Sequence, residues 1–106
     1  MEVTNHKEHM MVTFDRLIGL LFSSEELDAM IIDRDLAKKL IAARRKWIRT
    51  SDLAVPGVTT EKMALTHLLW LQRVRTIIIE DIDPLSGAVL VRSGITVKNK
   101  ESPIMN

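Results

Sequence analysis

Hydroxyl and cationic side chains lie close together in the middle of the chain, where they could contact a nucleic acid. Three threonines and one lysine surround the start of a segment with helical spacing: Thr59, Thr60, Lys62 and Thr66. In DNA-binding helices, side chains near the N-terminal end contact base edges and phosphates. Threonines also cap helices or face solvent, and for any one of these residues that role is the more common.

Further candidates for phosphate contacts flank this segment on both sides. They are Arg49, Thr50, Arg73, Arg75 and Arg92. Residues 34–75 carry ten Lys and Arg against three Asp and Glu, whereas residues 1–33 carry two against seven. A basic segment inside a chain of net charge +1 is typical of a nucleic-acid footprint and also of a solvated helix face.

The sequence gives no support to catalysis or to a bound cofactor. The chain has no Cys, which excludes disulfides, thiolate metal sites and a cysteine nucleophile. It has no Gly-rich phosphate loop and no nucleophile elbow. His6 and His9, with Glu8 between them, are too loosely spaced for a metal site. Residues 81–87 resemble a calcium loop, but Arg92 stands where that loop requires a carboxylate. We therefore predict neither an enzyme nor a metal protein.

Composition also bears on the class of partner and on the compartment. Four aromatic residues are too few for a platform that stacks single-stranded bases. No apolar run approaches the ~20 residues of a membrane span. The polar residues at the start of the chain do not form a signal peptide. We expect a cytoplasmic protein without membrane contact.

Hydrophobic spacing predicts five helices followed by a β-hairpin within one domain, residues 1–106. The first helix is expected over 10–22, and the second begins after a capping box at Ser23 and Glu26. The third is expected from a cap at Asp33 through Trp47 and Ile48. The fourth and fifth are expected over 50–54 and 60–75. The last of these has Thr59 as its expected cap, with Val58 and Met63 as a hydrophobic staple.

The end of the chain has the composition of a β-hairpin. Residues 76–80 are rich in β-branched side chains, residues 83–87 contain Pro and Gly at turn positions, and residues 88–92 form the returning strand. Ile95 and Val97 are expected to extend that strand. Residues 1–9 and 99–106 are polar and are expected to be flexible.

This order of elements predicts an α+β fold, a winged helix-turn-helix with an N-terminal helical extension and a C-terminal β-hairpin wing. Such domains place the longer helix in the major groove and the hairpin against the DNA backbone or minor groove.

One stretch is more specific than the order of elements. The run Lys46-Trp47-Ile48-Arg49-Thr50-Ser51-Asp52-Leu53-Ala54 resembles the start of the DNA-binding region in the carnitine-operon activator family of enterobacterial regulators. The resemblance covers about residues 36–80. It implies a sequence-specific transcriptional regulator of bacterial type, controlled by a regulatory protein partner.

The first third of the chain offers apolar material for a homodimer. The expected interface consists of Phe14, Leu17, Ile18, Leu21 and Phe22, followed by Leu27, Met30 and Ile31. The alternative is that these side chains only cover the helix bundle over Leu68 and Leu71, because such stripes usually face a core.

Two functions follow from these patterns. The first is a DNA-binding transcriptional regulator that reads duplex DNA with the helix over 60–75. The second is a small protein-interaction module, an adaptor or inhibitor, that binds a larger regulatory protein. It is favoured by the apolar residues that surround the same helix, among them Met63, Leu65, Leu69 and Trp70.

Overall fold

Five helices and a three-stranded antiparallel sheet make up residues 5–96, the part of the chain that the computed structural model describes. The elements are α1 (Asn5–Leu21), α2 (Ser24–Ile32), α3 (Arg34–Ala43), β1 (Arg45–Ile48), α4 (Thr50–Leu53), α5 (Glu61–Arg73), β2 (Ile77–Ile82) and β3 (Val89–Ser93). The predicted α+β class is confirmed. The segments expected to be flexible lie outside the described residues, except for residues 5–9, whose backbone begins α1.

The sheet has the strand order β1-β3-β2, so the last strand of the described residues lies in its centre. Arg45 of β1 pairs with Arg92 of β3, and Ile77 of β2 pairs with Ser93. The register of β2 shifts between Ile79 and Asp81, which leaves Glu80 in a bulge.

The core lies where α1, α4 and α5 pack together against one face of the sheet. Leu17 and Leu68 are at most 1% exposed, and Ile48, Leu53, Ile77 and Val91 belong to the same cluster. This core also contains a buried hydrogen bond between α1 and α5, in which Thr13 Oγ1 and His67 Nδ1 lie 2.9 Å apart. A buried pair of this kind is stable because each polar atom meets a partner.

This core changes the interpretation of the first helix. α1 begins five residues before the predicted start at Met10. Leu17, Leu21 and Phe22 are buried in the core of the same chain, and Phe14 and Ile18 pack against it half-buried. The prediction of these five residues as a dimer interface is therefore wrong for Leu17, Leu21 and Phe22, which have no surface to offer.

Helices α2 and α3 begin at the residues predicted from the sequence. Ser23 Oγ accepts the Glu26 N–H at 3.1 Å, and Glu26 Oε1 accepts the Ser23 N–H at 3.0 Å, which completes the capping box. Asp33 Oδ1 accepts the Leu36 N–H at 3.1 Å. Both caps are confirmed.

The predicted continuation of α3 through Trp47 and Ile48 is wrong. Helix α3 ends at Ala43, Arg44 adopts extended backbone angles, and residues 45–48 form β1. Strand pairing decides this, because Trp47 lies opposite Leu90 and Ile48 opposite Val89. Ile48 points into the core, whereas Trp47 is 45% exposed.

Helices α4 and α5 are joined by a tight turn around Pro56 and Gly57, whose φ of 79° is one that glycine adopts without strain. Val55 and Thr59 bridge across the turn. The cap of α5 is Thr60, whose Oγ1 accepts the Met63 N–H at 3.1 Å, so the prediction of Thr59 was wrong by one residue. The helix ends at Arg73, two residues before its predicted end.

The predicted hairpin is present with small shifts of its bounds. Strand β2 continues to Ile82, and β3 ends at Ser93, so Ile95 is not part of it and Val97 lies outside the described residues. After β3 the chain passes so close to the end of α5 that a Cβ on Gly94 would overlap the Arg75 carbonyl oxygen. Only glycine fits there.

Candidate functional site

The surface that the sequence singles out is the outer face of α5. Ala64, His67, Leu68 and Leu71 turn inward, which leaves a row of exposed side chains at helical spacing on the other side: Lys62, Leu65, Thr66, Leu69, Trp70 and Arg73. We call this row the α5 stripe. Its two ends carry cations and its middle is apolar, with Leu69 53% exposed.

The N-terminal half of the stripe holds three of the predicted contact residues together. Thr60, Lys62 and Thr66 are exposed on the first turns of α5. Thr60 is engaged in capping, and Thr66 Oγ1 donates to the Lys62 carbonyl at 3.2 Å. Both threonines are exposed, and Lys62 supplies the positive charge at this end.

Thr59 does not belong to this surface. Its side chain is buried, and its Oγ1 accepts the Val55 N–H at 3.0 Å. The hydroxyl therefore holds the α4–α5 turn closed. The prediction of Thr59 as a DNA contact is wrong, because contact with a ligand would require opening that turn.

The flanking cations lie in different surroundings. Arg49 is exposed just before α4, with half-buried Thr50 beside it. The Arg73 guanidinium lies 5.7 Å from the centre of the Trp70 ring, a cation–π distance. Arg75 is exposed with a φ of 66°, a left-handed conformation that few non-glycine residues adopt.

Arg92 lies on the sheet in an ion-pair cluster. Its Nε donates to Glu80 Oε2 at 2.6 Å, and Arg45 Nε donates to Glu80 Oε1 at 2.7 Å. Burial by itself raises the pKa of Glu80, but the bonds from Arg45 and Arg92 outweigh it and lower that pKa below its usual value. Glu80 thus neutralises part of the basic charge counted in the sequence, at the surface of the sheet.

The hairpin turn that follows β2 is acidic. Ser86 Oγ donates to Asp83 Oδ2 at 2.8 Å, and Asp83 Oδ1 accepts the Leu85 N–H at 3.0 Å. These bonds lower the pKa of Asp83, and the nearby positive charge of Arg49 lowers it further. The turn therefore carries negative charge and one fully displayed apolar side chain, Leu85, which is 95% exposed.

A groove between α5 and β2 continues the apolar middle of the stripe. Leu69, Ile79 and Ile82 line it, and Glu80 and Asp81 form its far edge. Gln72 Oε1 accepts the Ile79 N–H at 2.9 Å and joins the helix to the strand beneath. Ile82 is not among the residues predicted for the site, because the β-branched run at 76–80 indicates a strand but not where its exposed end meets a helix.

Arg44 connects the ends of α1 and α3 with α2, a contact that no local pattern in the sequence predicts. Its guanidinium donates to Glu26 Oε2 at 2.6 Å and Oε1 at 3.0 Å, and to the Leu21 carbonyl at 3.1 Å. It also lies 5.7 Å from the centre of the Phe22 ring. The bond from Arg44, together with that from the Ser23 backbone, lowers the pKa of Glu26 to about 2.

This pair gives stability a pH dependence of known sign. The folded-state pKa of Glu26 lies below its unfolded value of 4.5, so the stabilisation is complete above about pH 5 and is lost as the pH falls to about 2. We expect Glu26→Gln to melt at a lower temperature than Glu25→Gln at neutral pH, with the difference shrinking towards pH 2. Thermal unfolding followed by circular dichroism measures this. A difference that stays constant with pH would show that the Glu26 charge does not contribute.

Comparisons with known proteins identify no relative. No protein-family model matches the chain, and neither the curated proteins nor the solved structures contain a significant match. The resemblance to the carnitine-operon activator family therefore stays a prediction. Within residues 5–96, no helix combines the length and apolar character needed to cross a membrane.

Proposed function

We propose that the protein is a cytoplasmic, DNA-binding transcriptional regulator of the winged helix-turn-helix type, with α5 as its reading helix. The observation that carries this proposal is the strand order β1-β3-β2, with α4, a tight turn and α5 inserted between β1 and β2. In winged-helix domains the corresponding longer helix enters the major groove, and the hairpin corresponding to β2–β3 is the wing.

The N-terminal half of α5 has the side chains that this role requires. Lys62 and Thr66 are exposed one turn apart on α5, Thr60 is exposed at its cap, and Arg49 lies just before α4. Hydroxyls and cations of this kind contact phosphates and base edges. Arg75 supplies positive charge beyond the other end of α5 for flanking phosphates, whereas Arg73 lies beside Leu69 and Trp70, and Arg92 is engaged with Glu80.

We also propose that the protein is a homodimer, since regulators of this type read two half-sites related by two-fold symmetry. The C-terminal half of α5 supports this. Leu69 and Trp70 are exposed beside Arg73, and Leu69 also lines the neighbouring groove with Ile79, Ile82 and Asp81. A two-fold axis through this surface would bring Arg73 of one copy towards Asp81 of the other, so these two charges would complement each other.

Lys62 provides the direct test of DNA binding through α5. We expect Lys62→Ala to weaken binding to random duplex DNA and to lower the slope of log K against log salt by about one, because one phosphate contact is lost. Fluorescence anisotropy across a salt series measures both quantities. The matched control is Lys39→Ala, which removes an exposed lysine from α3. If the two variants lost equal affinity for duplex DNA, α5 would not be part of the DNA interface. A wild-type protein without salt-sensitive binding to duplex DNA would contradict the proposal.

A second candidate function is a protein-interaction module that binds a larger regulatory protein. The apolar middle of the α5 stripe and the acidic hairpin turn favour it, because a DNA-reading surface is usually polar and positively charged. Under this function Leu65, Leu69 and Trp70 would form the centre of a protein interface. The salt series separates the two functions, since the module would show no duplex affinity.

A further inference from the structure

A cleft lies on the side of the molecule where the first three helices meet the end of β3. Its inner chamber has a volume of about 170 Å³. Six apolar side chains from α1–α3 and the α1–α2 connection line this chamber: Phe14, Ile18, Phe22, Leu27, Met30 and Ile41. Ser93 and Ile95 close it from the sheet side. Ser93 is buried, and its hydroxyl oxygen accepts the Ile95 N–H at 3.1 Å.

The outer part of the same cleft has a different character. Its volume is about 420 Å³, and it shares the lining residues Ile41, Ser93 and Ile95 with the inner chamber, so the two parts adjoin. Two cations, Lys38 of α3 and Arg92 of β3, line this outer part. The cleft is therefore apolar at its inner end and positively charged at its mouth.

The mouth of the cleft stays positively charged although the Glu80 carboxylate lies beside Arg92. Glu80 is shared between Arg45 and Arg92, so these three groups together keep one positive charge. The ion pair described for Arg92 uses its Nε, and the terminal nitrogens of a guanidinium can donate to a second acceptor. Lys38 is exposed and adds a second positive charge on the opposite wall.

We propose that this cleft binds a small apolar carboxylic acid, with its hydrocarbon part in the inner chamber and its carboxylate between Lys38 and Arg92. A chamber of this size holds roughly one aromatic ring or a short aliphatic chain, since an apolar cavity of about 150 Å³ accommodates benzene. Cationic donors at the mouth select a carboxylate over an uncharged end group because bonds between ions are the stronger ones. This inference depends on the cleft alone and not on DNA binding.

Isothermal titration calorimetry with hexanoate tests the proposal on the full chain without DNA. We expect saturable binding with a Kd of about 1 mM or tighter, as for other ligands of this size. Two further probes separate the two parts of the cleft. Hexanamide keeps the chain and lacks the charge, whereas acetate keeps the charge and lacks the chain. Each should bind about tenfold more weakly than hexanoate.

Adjacent lysines on α3 provide a matched pair of variants. Lys38→Ala should weaken hexanoate binding about tenfold. Lys39→Ala should leave it unchanged, because Lys39 does not line the cleft. Both residues are exposed, so neither change threatens the fold. Equal affinities in the two variants, acetate binding as tightly as hexanoate, or no saturable binding of hexanoate would each overturn the proposal.

Discussion

Replacing Leu17 with Ala is expected to lower the free energy of unfolding by about 2–5 kcal/mol, the cost of a cavity in a tightly packed core. Leu17 of α1 is fully buried in the core cluster, so removing its side chain leaves a space that the neighbouring side chains fill only partly. Urea unfolding followed by tryptophan fluorescence measures this free energy.

The control for this variant is Leu85→Ala, which removes the same atoms from a side chain that is 95% exposed. We expect it to change the free energy of unfolding of the monomer by at most about 0.5 kcal/mol. Measurements at two protein concentrations separate core from interface, because only an interface makes apparent stability concentration-dependent. If Leu17→Ala lowered the free energy of unfolding only slightly, and by an amount that depends on protein concentration, Leu17 would lie in a dimer interface and not in the core.

The double variant Leu69→Asp with Trp70→Asp is expected to abolish the homodimer. Two carboxylates at the centre of an apolar interface would be buried without partners, and each would carry a large desolvation penalty. Light scattering at micromolar concentration should then give the monomer mass of 12.1 kDa, while wild type gives twice that mass. Circular dichroism should show an unchanged fold, since both side chains lie outside the core.

The matched control is the double variant Ile31→Asp with Ile32→Asp. Both isoleucines are more than 80% exposed on α2, and Ile31 belongs to the interface expected from the sequence. We expect this variant to remain a dimer. Dissociation by the α2 changes and not by the α5 changes would place the interface on the N-terminal helices, and a monomeric wild type would refute the homodimer itself.

Local signals explain which parts of the fold could be predicted. A capping residue acts on an N–H three residues away, so Ser23 and Asp33 could be identified without knowledge of the rest of the chain. Thr59 and Thr60 show the limit of this approach. Both have the same capping group, and the choice between them depends on where the turn closed by Val55 ends.

Non-local contacts explain what could not be predicted. The segment 45–48 follows a helical stripe without interruption, and it becomes a strand only because residues 89–92 pair with it. Arg44 is one cation among several in the sequence, and its role depends on Glu26, which precedes it by 18 residues. The same holds for the candidate surface: the helix over 60–75 was recognisable, but the burial of Thr59 and the pairing of Arg92 with Glu80 depend on the assembled sheet and turn.

The central position of β3 has a consequence for synthesis on the ribosome. Within the described sheet, β1 and β2 each pair with β3 and not with each other, so neither finds its partner until the last strand has been made. Ile48 must wait for Val89, which at about 5–20 residues per second is a delay of roughly 2–8 s. An open strand edge invites pairing with other chains during such a delay. Arg45 and Lys46 place two positive charges on that strand, and we expect these charges to disfavour pairing with other chains.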